Sequence, residues 1–335
     1  STDNFQFGVH KMRNYALDVA KIVACFFIVS VHVGNYSEFS APWGETLRVM
    51  TRWAVPFFFL ASGYTIGNSD AGALLKRVNK LISILFFSSV IYLPVVYFQS
   101  GENILKTLNK VLSQDTVHYG LYGHLWFIGS LIAGLIIFGF ARSNLSHRKS
   151  LVLSVFIIFM CWFGDAIKSF GAQVWFFYVF RYLAGFALVY IGWCIGSGRV
   201  QIPKNNIQLI LCFVVCLMAM GGEYYIAFSY FDGTHGERQF PLACIPASII
   251  LLMLCAKIKM KSNYLSYLGE KYSLGIYLIH PLVIYILGKS SGYLRMHIFS
   301  SEMLVLGFSI SLLVLMCISK YCLAFFNKLN GIGIK

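Results

Sequence analysis

Apolar runs about 20 residues long, separated by short polar stretches, organise the whole chain. A helix that crosses the hydrocarbon of a bilayer needs about 20 largely apolar residues. Ten segments meet that requirement, at about 16–36, 49–68, 81–99, 121–141, 150–165, 174–197, 206–223, 240–256, 272–288 and 302–325. Most hold no Asp, Glu, Lys or Arg away from their ends. The fifth and eighth are the shortest, so a re-entrant segment is the main alternative to ten spans. The pattern predicts an all-α, polytopic integral membrane protein of about ten transmembrane helices. It reads as one transmembrane domain over 1–335 behind a short N-terminal segment, 1–14. The longest loops, about 100–120 and 224–239, leave no room for a separate soluble domain. The first apolar run reads as a retained helix rather than a cleaved signal peptide.

Composition strengthens this picture. Apolar residues make up 58% of the chain and charged residues only 12%, against about 25% charged in a typical soluble domain. The mean hydropathy is +0.70. The 27 Lys+Arg outnumber the 13 Asp+Glu. In a soluble chain that excess would suggest nucleic acid, but no basic run is joined to a recognition motif, and no nucleic-acid partner is expected. Ten spans with both termini inside put 16 Lys/Arg on inside loops, from Lys11 to Lys335, and 8 on outside loops, Arg48 and Arg52 among them. That alternation follows the positive-inside rule and makes both termini cytoplasmic. The acids Glu38, Glu45, Glu102, Asp115, Glu223, Asp232 and Glu237 lean outward. Nine cysteines, an odd number with no CxxC, read as buried free thiols; no zinc spacing is present and no metal is implied.

Ionisable residues inside spans cost on the order of 2.5–3.5 kcal/mol each and are candidates for function. Asp18, Lys21 and His32 lie on the first helix. Lys21 and His32 are eleven residues apart, which returns to within about 20° of the same face, roughly 16 Å further along the axis. Asp18 shares that face and can pair with Lys21 at i,i+3. A polar stripe therefore runs inward to His32; interfacial anchoring of Lys21 and an interhelical hydrogen bond from His32 are the plainer readings. Lys76, Arg77 and Lys80 precede the third span and serve either as positive-inside signal or as a clamp for a phosphorylated cofactor. His124 and Trp126 open the fourth span, as an aromatic belt or a sugar-stacking pair. His280 precedes Pro281 in the ninth; it either satisfies the carbonyl that proline frees or faces the same cavity as His32. Arg181 is buried in the sixth span and needs a partner.

These segments together resemble the acyltransferase-3 family of membrane acyltransferases nearly end to end. LDVAKIVACFFIVSVH is similar to the family's basic-x10-His pattern, with Lys21 and His32. VPFFFLASGYTIG resembles its second helix, and LLKRVNKLI its Arg-x-x-Arg stretch, with Arg77 first and Lys80 second. HLWFIGSLI, FRYLAGFALVYIGWCIG and YSLGIYLIHPLV follow in the family's order. Lysine replaces arginine at Lys21 and Lys80, which keeps charge but not bidentate phosphate geometry. The chain looks like the stand-alone form of the family.

The resemblance implies transfer of an acyl group, usually acetyl, from cytoplasmic acetyl-CoA to a hydroxyl of a cell-surface carbohydrate such as O-antigen, or of a lipid-linked precursor. The expected location is the bacterial inner membrane. His32 would be the catalytic residue, as general base or transient acetyl carrier, with Lys21 and Asp18 orienting the first helix. Lys76, Arg77 and Lys80 would hold CoA phosphates; His124, Trp126, Arg181 and His280 would bind the acceptor or support His32. No GxSxG or Ser-His-Asp signature suggests a serine acyl-enzyme. A transporter or flippase is the alternative that the ten-span frame also allows.

Overall fold

The computed structural model describes residues 13–67, 69–113, 116, 120–231 and 238–333. Lys11, Lys335, Asp115, Asp232, Glu237 and most of the 1–14 segment lie outside the described residues.

Every regular element among the described residues is helical. In chain order they are α1 (Tyr15–His32), α2 (Trp43–Val49), α3 (Ala54–Ile66), α4 (Ala71–Gln99), α5 (Ile104–Val111) and α6 (Trp126–Asn144), which a 3₁₀ turn at Gly123–Leu125 leads into. Then come α7 (His147–Ser169), α8 (Trp175–Gly196), α9 (Asn206–Tyr230), α10 (Cys244–Lys257), α11 (Tyr264–Tyr293), α12 (Ser300–Tyr321) and α13 (Leu323–Leu329). Asn14, Asp70, Ser146, Asn205 and Asn263 start α1, α4, α7, α9 and α11, each side chain accepting a backbone N–H of the first turn.

Eight helices are long and apolar enough to cross a membrane: α1, α4, α6 with its leading turn, α7, α8, α9, α11 and α12. The protein is a polytopic integral membrane protein. The other two expected spans differ. The 49–68 run opens with the turn at Met50–Trp53, which follows α2, and only the 13-residue α3 forms within it, while the 240–256 run forms the 14-residue α10. Neither reaches the length that the hydrocarbon thickness demands of a lone span. The basic stretch also moves. Lys76, Arg77 and Lys80 sit within the opening turns of α4, because Asp70 caps the helix a full ten residues ahead of the expected 81–99 span.

α1, α4, α7, α9 and α11 start at the end of the bundle where α3, α6, α8 and α10 stop, so the ends sort by charge. Arg13, Lys76, Arg77, Lys80, Arg142, Arg199 and Lys257 all lie at or near the end of the bundle where α1 starts and α3 stops, hereafter the basic end. Arg48 and Arg52, expected as outside loop charges, are instead buried beside α1, at 7% and 8% exposure.

Lipid offers no hydrophobic gain for helix association, so close backbone approach matters more. α8 is the hub, packing on α3, α6 and α7, while α1 packs chiefly on α11. At Gly192 the α8 backbone lies against the carbonyl of Leu60 on α3, where any Cβ would collide. Gly269 lets α11 press on the Asp18 carbonyl of α1 in the same way. Outward faces carry apolar side chains such as Phe86, Phe140, Val152, Val215 and Met218.

Candidate functional site

At the basic end, the polar stripe of α1 is an ion network. Asp18 is buried, and its Oδ2 accepts from Nε and Nη2 of Arg13 at 2.9 Å while Oδ1 meets Lys21 Nζ at 3.2 Å. Arg13 also pairs with Glu270 of α11. These pairs fix α1 against α11 beneath a cavity of about 340 Å³ lined by Arg13, Asp18, Lys21, Tyr64, Thr65 and Glu270. A second, largely apolar cavity of about 220 Å³ shares Lys21 and Glu270 and continues inward past Val55, Phe58 and Phe127 to Ile28 and Tyr277. It stops one turn short of His32 on α1 and one turn short of His280 on α11. Arg77 borders the outer cavity indirectly: its Nη1 and Nη2 donate to Oγ1 and the carbonyl of Thr65 at 3.2 and 3.0 Å. Lys76 and Lys80 are exposed and line neither cavity; Lys80 lies against the turn at Gly331.

At the inner end three histidines converge. The His32 and His280 ring centroids are 5.1 Å apart, and His280 and His124 are 5.7 Å apart. His32 is exposed, whereas His280 and His124 are buried. His280 Nδ1 is 3.0 Å from the Ile276 carbonyl, one residue before the carbonyl that Pro281 deprives of its N–H. A carbonyl can only accept, so Nδ1 carries the proton and Nε2 presents a lone pair. The same logic applies to His124, whose Nε2 donates to the Leu278 carbonyl at 3.2 Å. Among the described residues, neither His280 Nε2 nor His124 Nδ1, both buried, has a hydrogen-bond partner. Two inward-facing acceptors of this kind are costly unless something donates to them. His280 thus donates to the carbonyl next to the one that the proline frees, and it stands beside His32.

Tyrosines hold this cluster, and hydropathy alone could not separate them from core residues. Tyr92 stacks on Tyr122 at 4.5 Å and donates to the Leu278 carbonyl at 2.8 Å. Tyr277 donates to the His124 carbonyl. Arg48 also supports His32: its Nη1 donates to the Val31 carbonyl at 3.2 Å, and Glu45 grips its Nε and Nη2 at 2.7 and 2.6 Å. The i,i+3 spacing of Glu45 and Arg48 was the available sequence signal.

Trp126 and Arg181 form a separate pair. The Arg181 guanidinium lies 4.4 Å from the Trp126 ring centroid, and its Nη1 donates to Gln239 Oε1 at 2.8 Å. Gln239 belongs to a loop pinned by buried charge. Arg238 donates to Asp165 Oδ2 at 2.6 Å and also pairs with Glu223, while Asp165 accepts the backbone N–H groups of Gln239 and Phe240. The partner missing from the sequence reading of Arg181 is therefore Gln239, 58 residues downstream.

A family model described as an acyltransferase domain, of the acyltransferase-3 type, matches residues 14–323. The chain belongs to the acyltransferase-3 family. Among curated relatives, this chain is 23% identical over 309 residues to an amino-acid racemase of Enterococcus faecalis, covering 85% of the chain and 43% of the relative. It is 23% identical to a serine/alanine racemase of Enterococcus gallinarum, covering 82% and 41%. It is 26% identical to an MFS-type transporter of Aspergillus terreus, covering 72% and 43%. The chain thus spans less than half the length of these relatives. No solved structure matches. Among the described residues no group of three or more His, Cys, Asp or Glu could hold a metal ion.

Proposed function

We propose that this acyltransferase moves an acetyl group from cytoplasmic acetyl-CoA to a hydroxyl of a cell-surface carbohydrate or its lipid-linked precursor, with His32 as the general base. The observation that carries the reading is the continuity of the α1 stripe: charged cavity at Lys21, apolar cavity past Phe127, then the histidine cluster. The excess of Lys and Arg at the basic end supports its assignment to the cytoplasm, where CoA is found. The slender apolar cavity suits an uncharged pantetheine arm.

In this reading the acceptor hydroxyl enters from the His32 end. Imidazole titrates near 6.5 in water, which suits it to take a hydroxyl proton at neutral pH. The oxygen forms a bond to the thioester carbon, the C–S bond breaks, and the thiolate that leaves takes the proton from His32. His280 and His124, whose open nitrogens accept hydrogen bonds, hold the acceptor's hydroxyls or a relaying water. Trp126 offers a sugar face that Arg181 backs. Lys21 and Asp18 hold α1 in register for the donor, and Arg77, with Lys76 and Lys80 nearby, adds positive charge beside it.

The test is transfer of labelled acetyl from acetyl-CoA to isolated surface glycan by the protein in liposomes. His32→Ala and His32→Gln should lower transfer at least about 100-fold while acetyl-CoA still binds. Wild-type activity in either variant refutes the assignment. Label that accumulates on wild-type protein without acceptor would show a histidine-bound acyl intermediate instead of base catalysis.

A further inference from the structure

A third cavity at the basic end, of about 550 Å³, belongs to neither chamber described above. It lies between the ends of α3, α6 and α8 and the starts of α4 and α7, and Arg142, Arg199, His147 and Trp193 are among its lining residues. Arg199 rests on the Trp193 ring, 4.8 Å from its centroid, and Arg142 on Phe138 at 5.7 Å. Among the described residues neither guanidinium is ion-paired. The acid in the wall, Asp70, is occupied: its Oδ1 caps α4 by accepting from the Ala73 N–H at 2.7 Å. His147 Nδ1 is held 2.7 Å from the Tyr190 hydroxyl. A charge placed only to orient the chain needs no such staging. Guanidiniums held over ring faces and bonded to no acid are pre-organised to grip phosphate oxygens.

The cavity adjoins the donor chamber. Thr65 lines one and Gly67 the other, and the backbone between them is the last turn of α3. Trp193 Nε1 donates to the Gly67 carbonyl at 2.9 Å from one side, and Arg77 holds Thr65 from the other. A ligand lying across this turn would reach both. We propose that the Arg142–Arg199 cavity binds the phosphorylated nucleotide end of the CoA donor, while its pantetheine arm runs past Lys21 towards His32. This rests on the acyl-donor reading above. It moves the main phosphate contacts from Lys76 and Lys80, which line none of the three cavities described, to α6 and α8, and leaves Arg77 as the tie between the two chambers.

The experiment compares binding of acetyl-CoA and of acetyl-pantetheine, which lacks the nucleotide, to purified full-length protein in nanodiscs. Arg142→Gln and Arg199→Gln should each raise the acetyl-CoA Kd about tenfold or more and leave the acetyl-pantetheine Kd within twofold. The second ligand also reports that the variants are folded. An anionic lipid headgroup offers the same phosphate chemistry, so retention of phosphatidylglycerol is measured in parallel. An unchanged acetyl-CoA Kd in both variants overturns the site, as does loss of phosphatidylglycerol with acetyl-CoA binding intact. Equal weakening of both ligands overturns it too, since the effect would not be on the nucleotide. Wild-type protein that binds no CoA overturns the donor reading itself, and this site with it.

Discussion

Replacing Arg238 by methionine would strand two carboxylates at once. Arg238 joins Asp165 of α7 to Glu223 of α9, with 3% of its side chain exposed and none of that of Asp165. Burial pulls the Arg238 guanidinium below its usual range, and the Asp165 charge opposes that pull. Methionine nearly fills the volume but supplies no counter-charge. Removing one partner of a buried ion pair costs about 3–5 kcal/mol. Asp165 would keep its backbone donors at Gln239 and Phe240, and Glu223 is 26% exposed. Both features place the cost near the lower bound, about 3 kcal/mol. For a chain this long that corresponds to a fall in Tm of roughly 5 °C. The double variant Asp165→Asn with Arg238→Met leaves no stranded charge at Asp165, so part of the loss should return, with a coupling of about 1 kcal/mol or more. Thermal unfolding in detergent, followed by tryptophan fluorescence, measures both. A Tm of Arg238→Met within about 1 °C of wild type, or strictly additive losses in the double variant, would refute the reasoning. Function supplies a second reading: the slackened loop releases Gln239 from Arg181, and in the proposed reading transfer should fall while acetyl-CoA affinity stays unchanged.

Two further outcomes follow from local geometry. Burial opposes the Glu38 charge, but backbone N–H groups, including those of Ser301 and Ser300 at the start of α12, outweigh it and hold the carboxyl below the usual carboxylate range. A depressed folded pKa stabilises above the unfolded value and is lost as pH falls through the folded one; Glu38→Gln should therefore lower Tm at pH 7 and match wild type once the pH is below that range, and a constant difference across pH would contradict this. Gly269→Ala drives a Cβ into the Asp18 carbonyl, at a cost of about 1–3 kcal/mol, and should weaken acetyl-CoA binding by parting Arg13 from Glu270. Gly288→Ala, where nothing stands within 4 Å, is the control, and equal Tm and Kd for the two variants would defeat the argument.

Much of the frame was legible because lipid imposes a simple rule, and eight of the ten apolar runs became membrane-length helices. The Asp18–Lys21 pair was legible for a similar reason, since both residues sit on one helix face. What lay beyond reach depends on separate segments meeting. Nothing near Arg181 announces Gln239, and nothing near His32 announces His280, 248 positions on. Arg48 was misassigned to a loop because nothing in the polar stretch ahead of the 49–68 run shows that α2 forms there and folds against α1, and Arg52, in the Met50–Trp53 turn, is buried where an exposed loop charge was expected. Tyr92, Tyr122 and Tyr277 were invisible because in an apolar run a tyrosine's ring and its hydroxyl count as one thing, and only the fold reveals which carbonyl the hydroxyl serves.

The brevity of α3 has a consequence for distance. Thirteen residues make about 20 Å of helix, some 10 Å less than the hydrocarbon around the bundle. Only Thr65 of that helix is exposed, so its length is insulated from the bilayer, and α10, nearly as short, is mostly covered as well. A low helix thus stands inside taller, lipid-facing ones. In the acyl-transfer reading proposed above, the reach required of a tethered acyl group would be set by this low helix, and a change in lipid chain length that strains the taller helices should leave that reach untouched.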